Sequence, residues 1–252
     1  MDAALAAVLE RVQRTRDGES KQSGTAKSQD GVESIEEFQE RQKQKEYQET
    51  IERSGIYRRF QGITFDAIER RGLPDNPTIR RNYAAVKDYA AHLRENIKDG
   101  IGLMFTGGYG TMKTTMAVAV LRNYIDDGGH GLLIPMCSLI DNLYSLRQTN
   151  REEEARFEER IRKTPLLVLD DLGGENTQQD WVLAKVDSII TERYNRMLPV
   201  IVTTNLTREE LEGTYSGRIM DRLKSTSKLL AFHGASERGV MRMGAALPRA
   251  RI

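Results

Sequence analysis

Phe105-Thr-Gly-Gly-Tyr-Gly-Thr-Met-Lys-Thr-Thr115 is a glycine-rich turn between an apolar run, Ile101 to Phe105, and a run with helical spacing, Thr114 to Tyr124. Strand, glycine loop and helix in that order make a phosphate cradle, because loop N–H groups and the positive end of the helix converge on one point. The residues expected to contact a nucleotide are Gly107, Gly108, Tyr109, Gly110, Thr111, Met112, Lys113, Thr114 and Thr115. Lys113 would reach the β- and γ-phosphates and the Thr114 hydroxyl would take Mg²⁺. The pattern G-x-x-x-x-G-K-[ST] asks for glycine where Met112 stands. Methionine carries a Cβ and prefers φ < 0, so the sequence predicts a loop that relaxes slightly or binds more weakly.

On either side of this turn, strand and helix signals alternate. Strands are predicted over Ile101–Phe105, Gly131–Met136, Leu166–Leu169, Val200–Val202 and Lys228–Phe232. Helices are predicted over Thr114–Tyr124, Ser138–Leu146, Trp181–Tyr194, Arg208–Leu211 and Ser216–Lys224. Apolar strands alternating with helices imply a buried parallel sheet covered on both faces, an α/β fold. Before the sheet, Ile79 to Ile97 has the spacing of one long helix.

Three further signals lie at the C-terminal ends of those strands, the edge where open α/β sheets bind ligands. Leu166-Leu-Val-Leu-Asp170-Asp171 ends in two acids. Asp170 would hold Mg²⁺ directly or through water, and Asp171 would polarise the attacking water. Asp171 is one methylene shorter than the glutamate more usual there, which predicts slow hydrolysis; the bland alternative is a helix cap. Val200-Ile-Val-Thr-Thr-Asn205 places Asn205 to orient the water or touch the γ-phosphate, or merely to cap the helix starting near Thr207. Arg218 and Arg222 share one face of a short helix, where an arginine offered across a subunit boundary would stabilise a transferring phosphoryl group. Arg238 follows the last strand and could reach the nucleotide of its own subunit.

The order of these motifs resembles the DnaC/DnaI/IstB group of AAA+ ATPases, most of all the DnaC-type helicase loaders. The shared features are the phosphate loop, LLVLDDLG, VIVTTN, GRIMDRL and the terminal SERG arginine, with a similar lead-in over Ser54–Phe60 and Ile63–Phe65. The resemblance implies an AAA+ P-loop core with a parallel five-stranded sheet flanked by helices, and a small N-terminal helical region. It matches residues 107–114 to Walker A, Asp170 and Asp171 to Walker B, and Asn205 to sensor 1. Arg218 or Arg222 falls in the arginine-finger region, and Arg238 matches sensor 2. It further implies ATP and Mg²⁺ as cofactors, ATP hydrolysis (which Met112 and Asp171 would slow), a homo-oligomer on single-stranded DNA, and an N-terminal region that grips a replicative helicase in DNA replication. A transposition helper resembles this core equally well, and a nucleotide-switched binding module without hydrolysis is a third reading.

The flanks and composition set bounds. Residues 2–14 read as a short amphipathic helix, 15–33 as a flexible linker and 34–53 as a charged, Gln-rich helix, so residues 1–53 form a partner-binding region, 54–240 the ATPase domain and 241–252 a basic tail. The net charge of +1 over 252 residues excludes a global basic field, so nucleic-acid contact needs a local patch. Tyr144 and Arg147 could supply stacking and phosphate contacts. The charged stretch Arg151–Lys163 reads first as a solvated helix held by i, i+4 pairs. One cysteine, Cys137, excludes an intrachain disulfide and a cysteine-based metal cluster. The absence of a membrane-length apolar run or a secretory signal predicts a soluble, cytoplasmic protein.

Overall fold

A computed structural model describes residues 35–237 apart from 176 and 178. The expected helix over 2–14, the linker, Arg238 and the basic tail lie outside the described residues. The chain divides into two units, Met1–Tyr47 and Gln48–Ile252, and the boundary falls inside the first described helix, α1 (Ile35–Arg53).

The second unit is built on five parallel strands: β1 (Gly102–Gly107), β2 (Gly131–Pro135), β3 (Leu166–Leu172), β4 (Val200–Thr204) and β5 (Ser227–Phe232), in spatial order β2-β3-β4-β1-β5. Leu103, Phe105, Leu167, Val168, Ile201 and Val202 are almost wholly buried, as expected of strands covered on both faces. The connecting helix α5 (Lys113–Asp126) buries every residue from Met116 to Leu121. Both edges of the sheet are covered. At β2, Leu133 N–H donates to the Ser54 carbonyl at 2.7 Å, so the lead-in after α1 occupies that edge.

The lead-in contains a 3-10 turn (Arg58–Phe60) and α2 (Phe65–Arg71), capped by Thr64, whose hydroxyl accepts from Ala67 N–H. The single helix expected over 79–97 is two helices, α3 (Pro77–Ala91) and α4 (Leu93–Lys98), broken at His92 (φ −109°, ψ 26°). Spacing alone hid the break. At the kink the Tyr89 carbonyl accepts from His92 N–H at 3.3 Å and from the buried Asn96 amide at 3.0 Å. The α3 residue Asn82 donates to the Ala231 carbonyl on β5 at 2.8 Å, covering the other edge.

Strand β2 stops at Pro135, and Met136, expected to end the strand, opens α6 (Met136–Thr149). The charged stretch forms α7 (Arg151–Lys163), with ion pairs 152–156, 158–162 and 159–163 and one buried residue, Ile161, as the solvated reading requires. Then come α8 (Asp180–Asn195), α9 (Arg208–Thr214) and α10 (Gly217–Thr226). At the edge where β3 and β4 begin, Arg193 of α8 is fully buried. Its guanidinium donates to the carbonyls of Ile161 and Thr164 at 2.9 and 2.8 Å and of Pro199 at 2.8 Å, with longer contacts to Arg162 and Pro165. These carbonyls end α7 and lead into β3 and β4, so one cation closes a helix C-terminus and two strand entries.

Candidate functional site

The opposite edge of the sheet gathers the motif residues. After β1 the chain turns at Gly107 (φ 127°), where a Cβ would lie 1.9 Å from the Phe232 carbonyl oxygen, and at Gly110 (φ 77°), where a Cβ would lie 2.0 Å from the Ser236 hydroxyl. The Glu237 N–H donates to the Gly110 carbonyl at 3.0 Å, so the segment after β5 lies directly against the loop. Thr111, almost fully buried, ties the loop to itself by donating to the Gly108 carbonyl at 2.8 Å. Gly108 has open space on its side-chain face, and Tyr109 is 68% exposed.

Met112 stands where the pattern asks for glycine, and the loop does not relax around it. Met112 holds φ 73°, ψ 9°, the left-handed conformation that glycine would take, with its side chain buried. The expectation of a relaxed loop is therefore corrected. Helix α5 starts at Lys113 directly after this left-handed residue, and the strain of a left-handed methionine, about 1–2 kcal/mol, sits within the fold itself.

Lys113 is buried, and its ammonium donates to the carbonyls of Gly107 and Gly108, both at 2.7 Å, and to Asn205 Oδ1 at 2.8 Å. Neighbouring Thr114 donates its hydroxyl to Asp170 Oδ1 at 2.8 Å, leaving its oxygen lone pairs for another ligand. Burial pushes the Asp170 carboxyl above its ordinary pKa; hydrogen bonds from Thr203 and Thr114 oppose that shift, and the charge of Asp171 adds to it. A bound cation would favour the charged carboxylate. A hydroxyl and a carboxylate are hard oxygen donors of the kind Mg²⁺ takes when phosphates complete its shell. Among the described residues no three of His, Cys, Asp and Glu converge on a metal site, and a phosphate-completed Mg²⁺ needs no such cluster.

Asn205 joins the two halves of the site, accepting from Lys113 and donating its amide to Asp171 Oδ1. It does not cap α9; Thr207 does, in a capping box with Glu210. Nor do the acids cap the next helix, since the N-cap of α8 is Gln179. So Lys113, Asn205 and Asp171 form one hydrogen-bonded group and Thr114 with Asp170 a second, and the Thr203 hydroxyl joins the two through Asp171 N–H and Asp170 Oδ1.

The remaining predicted residues are elsewhere. Arg222 donates to Asp187 at 3.2 Å and to Thr191, and its guanidinium lies over the Tyr194 ring; its side chain is 19% exposed. Arg218 is 70% exposed, with only a 3.8 Å approach to Asp187. The partners of both lie on α8, not on the phosphate loop. Tyr144 and Arg147 are exposed on α6, and the Tyr144 ring lies 6.1 Å from the Trp181 ring.

Sequence reasoning passed over Trp181, Thr203, Glu175 and Tyr215. Thr203 binds both acids, and nothing in its type distinguishes it from any strand threonine. Glu175 is buried just beyond the acids, accepting from Gly173 N–H at 2.9 Å and from the Tyr215 hydroxyl. Burial and that carboxylate together hold the Tyr215 hydroxyl above its ordinary pKa. The signal available was a lone glutamate in a glycine turn, five residues from Asp170.

A family model described as IstB-like ATP binding protein matches residues 85–245. The replicative helicase loader DnaI of Bacillus subtilis is 26% identical over 179 residues, 69% of this chain and 55% of that protein, so the chain spans little more than half of that relative's length. The replicative helicase loader DnaC of Escherichia coli K12 is 23% identical over 184 residues, covering 72% of this chain and 71% of the other. A crystal structure of the DnaC helicase loader superposes with a TM-score of 0.62 at 28% identity, over 70% of this chain and all of that one. The five-stranded parallel sheet with flanking helices is thus the AAA+ P-loop fold.

Proposed function

The chain belongs to the family of IstB-like ATP-binding proteins, and from that premise we propose that it is an ATPase that loads a ring helicase onto single-stranded DNA during replication. One observation carries the reading: Asn205 links the buried Lys113 ammonium to Asp171, Thr114 is tied to Asp170, and Thr203 bridges the two acids. A phosphate-binding cation, a metal-side hydroxyl and two acids therefore share one hydrogen-bonded cluster at the ligand-binding edge of the sheet. The loop N–H groups and Lys113 would cradle the triphosphate, Thr114 and Asp170 would hold Mg²⁺, and Asp171 with Asn205 would orient the attacking water. Bound Mg²⁺ would neutralise charge on the transferring phosphoryl group.

The two candidate finger arginines now separate. Arg222 is bound within its own chain, and Arg218 is the exposed one, so Arg218 is the residue we assign to reach a neighbouring subunit of a homo-oligomer. Arg238 is the proposed cis arginine. The exposed Tyr144 ring beside Trp181, with Arg147 one turn on, supports a stacking contact with single-stranded DNA. Residues 1–53 are proposed to hold the helicase, and relatives named replicative helicase loaders support that partner. No described helix is long and apolar enough to cross a membrane, and a cytoplasmic site of action accompanies the proposed role.

The test is ATP turnover by the full chain with and without single-stranded DNA. DNA-stimulated hydrolysis in the wild type that is lost in Lys113→Ala is the expected result; equal rates in both proteins would remove the site assignment. A second reading is an IstB-like transposition helper, an ATPase that assists a transposase, with which the match to an IstB-like ATP-binding model is compatible. Direct binding of residues 1–53 to a purified replicative helicase, or instead to a transposase, separates the two. A nucleotide-switched module would bind ATP and change oligomeric state without turnover.

A further inference from the structure

Adjacent residues on a regular strand face opposite sides of the sheet, so Asp170 and Asp171 should not serve one pocket. Here they do, because β3 carries an extra residue at this point. Leu169 stands opposite Val202 and Leu172 opposite Thr204, three steps on β3 against two on β4. A bulge of this kind bends the strand and re-aims its side chains. Asp170 then meets Thr114, and Asp171, with its backbone at φ 60°, meets Asn205.

Thr203 fills the slip. It is 2% exposed, and its hydroxyl uses both of its functions on the two acids. It accepts from Asp171 N–H at 2.9 Å and donates to Asp170 Oδ1 at 2.6 Å. Thr204 closes the far side of the same slip without touching either acid, donating to the Leu172 carbonyl at 2.7 Å and accepting from Leu206 N–H at 3.1 Å.

We propose that Thr203 is a positioning residue for the metal and water side of the site. Through one hydroxyl it fixes which oxygen of Asp170 is shared with Thr114, and it holds the left-handed backbone that aims Asp171 at Asn205. Both functions of the Thr203 hydroxyl are spent on Asp170 and Asp171, so its role is separable from the loop's hold on phosphate. The inference rests on the nucleotide-binding reading.

The experiment titrates a fluorescent ATP analogue against the full chain in EDTA and across a Mg²⁺ series, with steady-state turnover alongside. Thr203→Val keeps shape and strand preference but removes both hydrogen bonds. It should raise the Mg²⁺ midpoint and lower kcat by about 10–100-fold, the usual cost of losing a residue that orients a metal ligand, while affinity in EDTA stays at the wild-type value. Thr203→Ser should restore both quantities, and Thr203→Ala should behave as Val does. An unchanged Mg²⁺ midpoint and kcat in Thr203→Val would overturn the proposal. So would equal losses in EDTA and in Mg²⁺, or a Thr204→Val variant with the same Mg²⁺ shift, since each would mark a merely structural role. Wild-type protein that binds no nucleotide under any condition would instead remove the underlying reading, and that is seen before any variant is made.

Discussion

Two cations are buried at opposite edges of the same sheet, and both donate to backbone carbonyls. Arg193 is enclosed where β3 and β4 begin; Lys113 is enclosed where β1 ends. Arg193 reaches carbonyls from the end of α7 and from the two segments entering the strands, and burial pulls its pKa down to about 9. Its Nε is the one buried side-chain polar atom without a partner among the described residues. Lys113 bonds carbonyls of its own loop and the side chain of Asn205, which itself continues to an exposed acid. Burial of a positive charge therefore does not mark a ligand site. What separates the two is exchange: phosphate oxygens can replace the partners of Lys113, whereas those of Arg193 are fixed chain entries at the edge away from the ligand-binding crevice.

Substitutions can break that comparison. Arg193→Met should cost about 3–5 kcal/mol, because it strands several buried carbonyls at once, and urea unfolding will measure it. Nucleotide affinity of the folded fraction should stay as in the wild type; a loss of affinity with stability intact would reverse the roles assigned to the two edges. Lys113→Ala should do the opposite, weakening ATP binding and turnover by about 100–1000-fold, as removal of a key charge-stabilising donor does, with the thermal midpoint nearly unchanged. Tyr215→Phe tests a structural contact that lies on the ligand edge: leaving the buried Glu175 carboxylate without its hydroxyl partner should cost about 2 kcal/mol. Turnover, read by the same hydrolysis assay, should fall less than for Lys113→Ala. The smallest effect belongs to Met112→Gly. The left-handed backbone is already adopted, so relief of about 1 kcal/mol of strain is offset by glycine's extra unfolded-state entropy, and ATP affinity should move by less than about 3-fold. A large gain in affinity would show that Met112 does hold the loop away from phosphate.

Much of this edge was legible in the sequence because its signals are local. The apolar runs of β1, β3 and β4 each end in the residues that matter, and the glycine spacing before Lys113 fixes which turn faces the crevice. The break at His92 was not legible, because Asn96 completes the kink through a side-chain bond invisible to periodicity. Thr203 was missed for a related reason: its importance comes from a one-residue slip between two strands, and sequence does not record pairing register. The two arginines of α10 were readable as candidates, but only their surroundings on α8 tell the bound one from the exposed one. Met112 was read as a departure that would alter the loop, yet the rest of the turn is constrained firmly enough to impose the glycine conformation on it.

The three glycines of the turn are not equivalent, and the reason lies outside the turn. Positions 107 and 110 are closed to any side chain by Phe232 and Ser236, whereas position 108 faces open space. Two of the three are thus demanded by the fifth strand and the residues just after it, not by an arriving phosphate. An exchange at Ser236 could lift the steric bar at 110 but not the positive φ there, so glycine is required at that position on two independent grounds, one of them more than a hundred residues away in the chain.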